Sequence, residues 1–311
     1  MSSQKILAKI EEQIAQQIYP GASLALYSQG QWQDFYLGLS DPAKQEPTRP
    51  GLIYDLASVS KVLGVGTLLI LLLDRRELDL DQSLKHYYPS FRHEETSLRQ
   101  LLTHTSGLNP FIENRDQLGE EELRAALNQL SLEEDKSFRY TDVNFLLLGF
   151  LLEEIYQQDL SQILQEQIFD PWQLKETSFG PVAGAVPTTR GAKRGLVHDP
   201  KARVLACHAG SAGLFSSLAD LKIFLEHYLR EDFAEKLTQN YSLVAGKGRS
   251  LAWNLKQDWL DHTGYTGTFI MYNRKEQKAA IFLSNRTYDK DERDQWILDR
   301  NQVMDLIRKG I

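Results

Sequence analysis

Ser58 and Lys61 are a serine and a lysine three positions apart, a pair that could act together in nucleophilic catalysis. They precede the apolar run 62–73, so a helix that begins here would place hydroxyl and amine on one face, one turn apart. A serine hydroxyl becomes a useful nucleophile when a base lies within hydrogen-bond reach, and a desolvated lysine amine can be that base. The helix start also offers free N–H groups and a positive dipole end to a developing oxyanion. The pair therefore predicts an activated serine nucleophile.

The Ser-x-x-Lys pattern alone is weak evidence. Ser2 and Lys5 have the same spacing, at the beginning of the chain. An isolated match is better explained as an ordinary helix start. The rest of the sequence has to decide between the two interpretations.

Hydrophobic periodicity indicates the elements that would hold Ser58 in place. Isoleucines four residues apart predict an amphipathic helix over residues 6–18. The predicted strands are Ala22–Tyr27, Trp32–Leu37, Ser250–Leu255, Thr268–Tyr272 and Ala279–Ser284. The later predicted helices are Leu98–His104, Gly119–Leu130, Asp142–Gln157, Gln162–Phe169, Ser217–Leu229 and Asp289–Arg308. Gly180–Val204 has little periodicity and predicts a long surface loop of the kind that is often functional.

Strands near both ends of the chain, with helices between them, predict an α+β fold. We expect one antiparallel sheet flanked by N- and C-terminal helices, with an all-helical domain inserted. Residues 1–60 and 208–311 would form a discontinuous α/β sheet domain. Residues 61–207 would form the mostly helical insertion.

Composition narrows the classes of partner. The 311 residues carry 35 Lys and Arg against 42 Asp and Glu, a formal charge of −7. With no basic block in the sequence, we expect neither nucleic acid nor a membrane as partner. The apolar run 62–73 is too short to span a bilayer and predicts a buried helix.

Cysteine and histidine usage bears on compartment and cofactor. Cys207 is the single cysteine, so an intramolecular disulfide is impossible, and it is better explained as a small buried residue than as a catalytic thiol. Residues 1–19 lack the apolar core of a signal peptide, which predicts a cytoplasmic protein. His86, His93 and His198 show no metal-ligand spacing, so we expect no metal and no cofactor.

Three further segments give Ser58 and Lys61 their context. They are the string Leu-Leu-Thr-His-Thr-Ser-Gly-Leu at 101–108, Tyr140-Thr141-Asp142, and His262-Thr263-Gly264. Ser-x-x-Lys, a Tyr-x-Asn-like triplet and a His-Thr-Gly triplet, in this order, resemble the motifs of serine β-lactamases and penicillin-binding proteins. The sequence is most similar to the class C-like branch of serine hydrolases and esterases. The segment 209–216 is also similar to a family segment.

The resemblance implies a role for each motif. Ser58 would be the acyl-accepting nucleophile, with Lys61 and Tyr140 as the base pair around it. The resemblance leaves open which of the two takes the serine proton, because they would titrate as a coupled unit. The backbone N–H groups of Ser58 and Tyr265 would form the oxyanion hole. His262-Thr263-Gly264 would lie on an edge strand that lines the cleft, with Thr263 as a cleft-wall hydroxyl and Gly264 allowing close backbone approach.

Several further residues receive expectations from their position. The cleft should lie between the two domains, with Tyr265, Phe111 and Trp172 as apolar walls. His104 is better explained as a structural residue at the turn that ends its helix. Ser60, inside the first motif, is expected to serve packing.

Three positions depart from the family pattern. His262 stands where β-lactamases have lysine, and an unperturbed histidine is mostly neutral at pH 7, so a β-lactam or D-Ala carboxylate should be anchored more weakly. Asp142 replaces an asparagine and can only accept hydrogen bonds; it either pairs with Lys61 or caps the helix that begins there. Ser211 stands where relatives often have histidine. Each departure points away from an efficient β-lactamase.

The sequence thus favours a cytoplasmic serine hydrolase that cleaves small carboxylic esters, or amides, through an acyl-Ser58 intermediate. One alternative is a D-Ala-D-Ala carboxypeptidase or β-lactamase with the same chemistry, against which the cytoplasmic location and His262 argue. If the missing charge at His262 is the obstacle, the substitution His262→Lys should speed acylation by benzylpenicillin. Another alternative is a catalytically idle member of the family that senses a ligand or serves in assembly. Substrate identity and oligomeric state are left open.

Overall fold

A seven-stranded antiparallel sheet forms the centre of the molecule. The computed structural model describes residues 2–246 and 248–311. The strands are β1 (Gly21–Ser28), β2 (Gln31–Asp41), β3 (Glu46–Pro47), β4 (Ile53–Asp55), β5 (Ser178–Phe179), β6 (Leu214–Ser217), β7 (Asn254–Lys256), β8 (Trp259–Thr263), β9 (Phe269–Asn273) and β10 (Lys278–Ser284). The order in the large sheet is β3-β2-β1-β10-β9-β8-β7, so strands from both ends of the chain meet where β1 pairs with β10.

Helices cover both faces of this sheet. They are α1 (Ser2–Ala15), α2 (Thr67–Asp74), α3 (Leu84–Tyr87), α4 (Leu98–Leu102), α5 (Glu120–Asn128), α6 (Val143–Tyr156), α7 (Leu160–Leu164), α8 (Pro200–Leu205), α9 (Leu218–Arg230) and α10 (Arg293–Gly310). The terminal helices α1 and α10 pack together on one face, where Ile6, Ile10 and Ile307 are buried against the sheet. Helix α9 and a larger apolar core cover the other face. The predicted α+β fold with flanking terminal helices is confirmed.

The β1–β2 hairpin shows how local sequence sets the sheet. Ser28 pairs with Gln31, which leaves Gln29 and Gly30 as a two-residue turn. Both turn residues have positive φ, at 51° and 79°. That geometry matches the right-handed twist of the flanking strands and fixes the register of the hairpin.

The helix that carries Ser58 is a buried element. We define the Ser58 helix as the continuous run Ala57–Asp74, which opens with a 3₁₀ turn at Ala57–Val59, passes through a π-helical stretch at Val62–Gly66 and ends as α2. Its length and composition alone would allow it to cross a membrane, yet 78% of it is buried inside the protein. It is therefore the core helix that the sequence predicts, and its packing fixes the position of Ser58.

A second, small sheet was not anticipated from the sequence. Strand β6 pairs with both β4 and β5. Leu56 N–H donates to the Leu214 carbonyl at 3.0 Å, and Leu214 N–H donates to Ser60 Oγ at 3.1 Å. The buried Ser60 side chain therefore accepts a hydrogen bond from the backbone of β6, in addition to the packing role expected of it. This sheet holds the start of the Ser58 helix against the segment that contains Ser211.

Some boundaries and placements differ from the expectations. Helix α10 begins at Arg293 rather than at residue 289, and the last predicted helix before residue 170 splits into α7 and a π-helical turn at Gln165–Phe169. Strand β8 is second from the edge, because β7 pairs with it up to Asp261. Only His262 and Thr263 extend past β7. The division into two domains at residues 60 and 207 stays a prediction.

Candidate active site

Lys61 holds Ser58 in a fixed geometry. Its Nζ donates to Ser58 Oγ at 2.9 Å, to Asp142 Oδ1 at 2.7 Å and to the Ser211 carbonyl at 2.8 Å. A lysine ammonium has three N–H donors, so these three acceptors use all of them. The side chain of Lys61 is 0% exposed. The bonds to Asp142 and to the Ser211 carbonyl thus fix the direction of the third N–H group, which points at Ser58 Oγ.

Electrostatics keep Lys61 charged. Burial alone would lower the pKa of Lys61, but the charge of Asp142 and the neighbouring Tyr140 outweigh burial and raise this pKa above its ordinary value. Burial would likewise raise the pKa of Asp142, whereas Lys61 and Lys201 hold it below its usual range. Lys201 Nζ lies 3.0 Å from Asp142 Oδ2. The carboxylate therefore bridges two ammonium groups.

The Asp142 carboxylate accordingly pairs with the two lysines and does not cap the helix that follows it. Helix α6 begins at Val143, and the Asp142 side chain makes no capping hydrogen bond. Of the two alternatives open from the sequence, the structure shows pairing with Lys61. An Asp142 carboxylate in this position accepts bonds from two ammonium groups and has no N–H to offer a substrate.

Tyr140 faces the same cleft as Ser58. Its ring centre lies 5.2 Å from Lys61 Nζ, and the residue is 40% exposed. The ring of His104 lies 4.5 Å away, centre to centre, on the buried side. His104 Nδ1 also contacts Asn144 Nδ2 at 3.1 Å. His104 thereby supports the segment that presents Tyr140, in keeping with a structural role.

His262 lies behind Tyr140 and does not line the cleft. It is 1% exposed, and its ring centre is 6.2 Å from that of Tyr140. Neither ring nitrogen has a hydrogen-bond partner among the described residues. Burial, then the charges of Lys61 and Arg249, holds the pKa of His262 well below 6.5, so the ring is neutral at pH 7. The structure therefore places His262 against the tyrosine instead of against a substrate.

Arg249 is a buried cation that sequence reasoning missed. It is 0% exposed, donates through Nη2 to the Ala252 carbonyl at 3.1 Å and through Nη1 to Asn254 Oδ1. Burial lowers its pKa to about 10, so it stays charged at neutral pH. Its positive charge helps to lower the pKa values of His104 and His262, and it also interacts electrostatically with Tyr140. Nothing in its spacing signals this, since Arg249 precedes the His-Thr-Gly triplet by a loop and a strand.

Tyr265 belongs to a turn that is anchored next to the nucleophile. Thr266 Oγ1 donates to the Asp55 carbonyl and Thr268 Oγ1 donates to the Leu56 carbonyl, each at 2.9 Å. No acceptor within residues 2–246 and 248–311 takes the Tyr265 N–H. Ser58 N–H lies at the helix start, where backbone donors lack intrahelical acceptors. Two N–H groups are thus available in adjacent segments for an oxyanion.

Gly264 permits this close approach. A Cβ at this position would lie 2.1 Å from Thr268 Oγ1 and 2.4 Å from the Leu56 carbonyl oxygen. Real Cβ atoms do not come this close to another atom, so a side chain here would push the Tyr265 turn away from the Ser58 helix. Thr263, one residue earlier, is half-buried in β8 and does not line the cleft, contrary to the expectation of a cleft-wall hydroxyl.

Asp55 joins the nucleophile to the cleft loop. Its Oδ1 accepts the Ala57 N–H at 2.8 Å and its Oδ2 accepts the His198 N–H at 2.7 Å. Burial raises its pKa from 3.8 to about 6, although the two N–H groups oppose this change. The carboxylate that holds both segments is therefore fully ionised only above pH 6.

Activity and stability should respond in opposite directions when Asp55 titrates. As pH falls through about 6, protonation removes one acceptor, so kcat should fall with a midpoint near pH 6. A folded-state pKa above the ordinary value means that protonation favours the folded state, so the contribution of Asp55 to stability grows from pH 6 down to pH 4 and is lost as pH rises through 6. Rate and thermal-melting profiles over this window check both signs. Asp55→Asn should remove the step from both; a step that persists in the variant would assign it to another group.

The cleft beside Ser58 has a volume of about 630 Å³. The predicted loop Gly180–Val204 supplies much of its wall, through residues 188, 189, 192, 193 and 195–201. Tyr265 lines it, as expected. Phe111 does not: its side chain is 75% exposed, and its neighbours Pro110 and Ile112 line the cleft in its place.

Trp172 is also wrongly predicted as a cleft wall. It is 8% exposed and stacks on His227, with ring centres 4.1 Å apart, and it packs against Phe224 and Phe233 in the core beneath α9. Its apolar ring is thus buried in the core and does not line the cleft. Position in the sequence could not show the direction of this side chain.

One group of metal-type ligands occurs in the described part of the chain. Ligand atoms of Asp159, Cys207 and His208 lie within 4.8 Å of one another, in a cluster that does not line the Ser58 cleft. The two nitrogens of His208 already contact Glu153 at 2.5 Å and Glu120 at 3.4 Å. Burial raises the pKa of the Cys207 thiol. The group is therefore explained by ion pairs and packing, and it offers no reactive thiolate.

Comparison with known proteins identifies the family and the fold. A family model for beta-lactamases matches residues 6–304. Protein flp of Staphylococcus aureus strain MW2 is 26% identical over 325 residues, covering 91% of this chain; the chain spans 63% of the length of flp. Two solved structures share the fold. EstCE1, "a hydrolase with promiscuous acyltransferase activity", has a TM-score of 0.77 and 17% sequence identity, and the match covers 98% of both chains. A beta-lactamase/D-alanine carboxypeptidase from Pseudomonas syringae has a TM-score of 0.76 and 18% sequence identity, and the match covers 97% of this chain and 98% of that chain.

The fold and the site define a serine hydrolase of the beta-lactamase type. The chain belongs to the beta-lactamase family, as its motifs indicate.

Proposed function

We propose that this protein hydrolyses small carboxylic esters through an acyl-Ser58 intermediate. The observation that carries the proposal is the buried Lys61 ammonium, which donates to Ser58 Oγ at 2.9 Å while two other acceptors fix its remaining N–H groups. A nucleophile held by a charged group of fixed direction, beside two unused N–H groups, is the arrangement that acyl transfer requires.

The charge state of Lys61 favours Tyr140 as the group that takes the serine proton. An ammonium that already carries three protons cannot accept a fourth. Tyr140 faces the cleft beside Ser58 and its ring lies within 5.2 Å of the ammonium. In this mechanism Tyr140 accepts the proton in its phenolate form, which interacts with the charges of Lys61 and Arg249.

The reaction then runs in two balanced halves. Ser58 Oγ bonds to the ester carbonyl carbon as its proton moves to Tyr140, and the carbonyl oxygen becomes an oxyanion held by the Ser58 and Tyr265 N–H groups. The bond to the alcohol oxygen breaks, and the departing alkoxide takes the proton from Tyr140. Water repeats the sequence on the acyl-enzyme, which releases the acid and restores Ser58.

His262 and Asp142 support an ester over a β-lactam. The buried neutral His262 offers no charge to a substrate carboxylate. Asp142 is occupied by Lys61 and Lys201 and has no donor for an acyl-amide carbonyl. Amides are accordingly expected to react more slowly than esters.

A second candidate is D-alanine carboxypeptidase activity, which the fold-sharing Pseudomonas syringae protein favours by its description. It needs the same Ser58 chemistry, but acting on the amide bond that precedes a terminal D-alanine. The two candidates differ in their response to benzylpenicillin, which only the second should accept as an efficient acylating agent.

The deciding experiment combines turnover and mass. Purified protein is mixed with p-nitrophenyl butyrate, product release is followed by absorbance, and the intact mass is recorded during the reaction. We expect turnover and a butyryl adduct on wild-type protein and neither on Ser58→Ala. An adduct with benzylpenicillin in place of butyrate would support the carboxypeptidase candidate. No adduct from either reagent would support the catalytically idle alternative.

A further inference from the structure

The wall of the Ser58 cleft differs in charge from the rest of the molecule. The chain carries a formal charge of −7. The cleft nevertheless contains five Lys and Arg side chains against three Asp side chains. The cations are Arg115, Lys193, Lys201, Arg203 and Arg293, and the carboxylates are Asp142, Asp199 and Asp291.

All three carboxylates are already occupied. Asp142 bridges Lys61 and Lys201. Asp199 accepts the Ala202 N–H at 2.9 Å as the cap of α8, and its other oxygen lies 3.5 Å from Lys201. Asp291 pairs with Arg286 at 2.5 Å and accepts the hydroxyl of Tyr265. None of them presents an uncompensated negative charge to the cleft.

Three of the cations form no ion pair among the described residues. Arg115 pairs with Asp116 at 2.9 Å, and Lys201 is used as described. Lys193, Arg203 and Arg293 have no carboxylate within 4.0 Å in the described parts of the chain. Arg203 donates only to the His198 carbonyl, at 3.1 Å, and the guanidinium of Arg293 lies 5.9 Å from the Tyr265 ring centre. His198 adds no further positive charge at pH 7, because burial lowers its pKa and leaves its ring neutral.

The placement of these three residues ties them to the substrate path. Lys193 belongs to the loop that walls the cleft, Arg203 lies in the last turn of α8, and Arg293 opens α10 beside Tyr265. Tyr265 supplies one of the two oxyanion N–H groups. A cleft in which positive charges predominate concentrates anions and raises the rate at which they associate with the protein.

We propose that the natural substrate is an ester that carries a second, ionised carboxylate, such as the half-ester of a dicarboxylic acid, and that Lys193, Arg203 and Arg293 receive that carboxylate. This inference rests on the acyl-Ser58 chemistry proposed above and names its substrate class. Ser58 attacks the ester carbonyl as before; the second carboxylate is not transformed and serves recognition alone.

The test compares two esters that differ in one charge. Mono(4-nitrophenyl) glutarate and 4-nitrophenyl valerate have acyl chains of the same length, but only the first is anionic. We expect kcat/KM for the glutarate ester to exceed that for the valerate ester by about tenfold or more at low salt. The ratio should fall as salt rises from about 20 to about 300 mM, because salt screens exposed charges.

Removing the three cations tests whether the preference for the glutarate ester comes from the cleft wall or from the overall charge of the protein. The triple variant Lys193→Gln, Arg203→Gln, Arg293→Gln should lose the preference for the glutarate ester. The matched control removes one lysine and two arginines from exposed positions outside the cleft lining. This triple variant, Lys175→Gln, Arg49→Gln, Arg92→Gln, should keep the preference for the glutarate ester. Equal preference in both triple variants would overturn the inference.

A binding measurement keeps the inference distinct from the proposed activity. Calorimetry with Ser58→Ala protein and monomethyl glutarate needs no turnover; affinity should drop about tenfold when the three cations are removed. Turnover of both esters at equal rates, without salt-dependent preference, would overturn the substrate class and leave the esterase proposal intact. Absence of any acyl-enzyme with tight glutarate binding would overturn the esterase and leave the anion site.

Discussion

Replacing Lys61 with methionine is expected to lower kcat for ester hydrolysis by about 10³-fold or more while the protein stays folded. Methionine has nearly the length of lysine and suits a side chain that is 0% exposed. It removes the N–H that points at Ser58 Oγ and the charge beside Tyr140. Steady-state kinetics with p-nitrophenyl butyrate and thermal melting of both proteins measure the two expectations.

Stability should survive because Asp142 keeps a partner. Lys201 remains 3.0 Å from its second oxygen, so the carboxylate is not left buried and unpaired. The Ser211 carbonyl loses one donor, which should cost about 1 kcal/mol. A variant that unfolds would show that Lys61 is chiefly a structural partner of Asp142.

Lys201→Met is the matched control. Lys201 contacts the same carboxylate but does not contact Ser58, so its loss should change kcat for a neutral ester by less than about tenfold. Equal losses in the two variants would mean that the lysines act only by holding Asp142. A loss confined to Lys61→Met would assign the effect to the contacts of Lys61 with Ser58 and Tyr140.

The sequence was informative where chemistry depends on local spacing. Ser58 and Lys61 are three positions apart on a helix, which fixes their relative position, and the observed 2.9 Å bond follows from that spacing. The ordered motifs predicted the family, which is confirmed. Alternation and periodicity likewise predicted the sheet and its covering helices, since both reflect which face of an element is buried.

The sequence failed where a role depends on side-chain direction or on distant packing. Trp172 and Phe111 are apolar and close to motifs, but one is buried under α9 and the other points to solvent. The burial of Arg249 depends on a loop that folds back against the site. In the small sheet, β4 pairs with β6, a segment more than a hundred residues later in the chain. The cytoplasmic location stays a prediction.

His262 shows how burial changes an argument based on charge. From the sequence, a lysine at this position should restore anchoring of a carboxylate and speed acylation by benzylpenicillin. In the structure the ring is 1% exposed, and Lys61, Arg249 and Arg300 all act on it as positive charges. A lysine ammonium here would enter a buried site that already repels cations.

We therefore expect His262→Lys to lower the free energy of unfolding by about 3 kcal/mol and to leave acylation by benzylpenicillin no faster. His262→Gln, which is neutral and of similar size, should cost about 1 kcal/mol, because it loses packing but adds no charge. Chemical denaturation and intact-mass labelling provide the two readouts. A stable lysine variant that reacts faster with penicillin would restore the original interpretation, in which the missing charge alone limits the reaction.

A double-mutant cycle identifies the source of the cost. If the lysine is destabilising because Arg249 already occupies the site with positive charge, then Arg249→Met should cost less in the His262→Lys variant than in wild-type protein. The coupling should exceed about 1 kcal/mol, because both side chains are almost fully buried and screening by solvent is weak. Additive costs would instead assign the penalty of the lysine to desolvation alone. In either case burial imposes the neutral state of His262, and the ring has no charge to offer to a substrate.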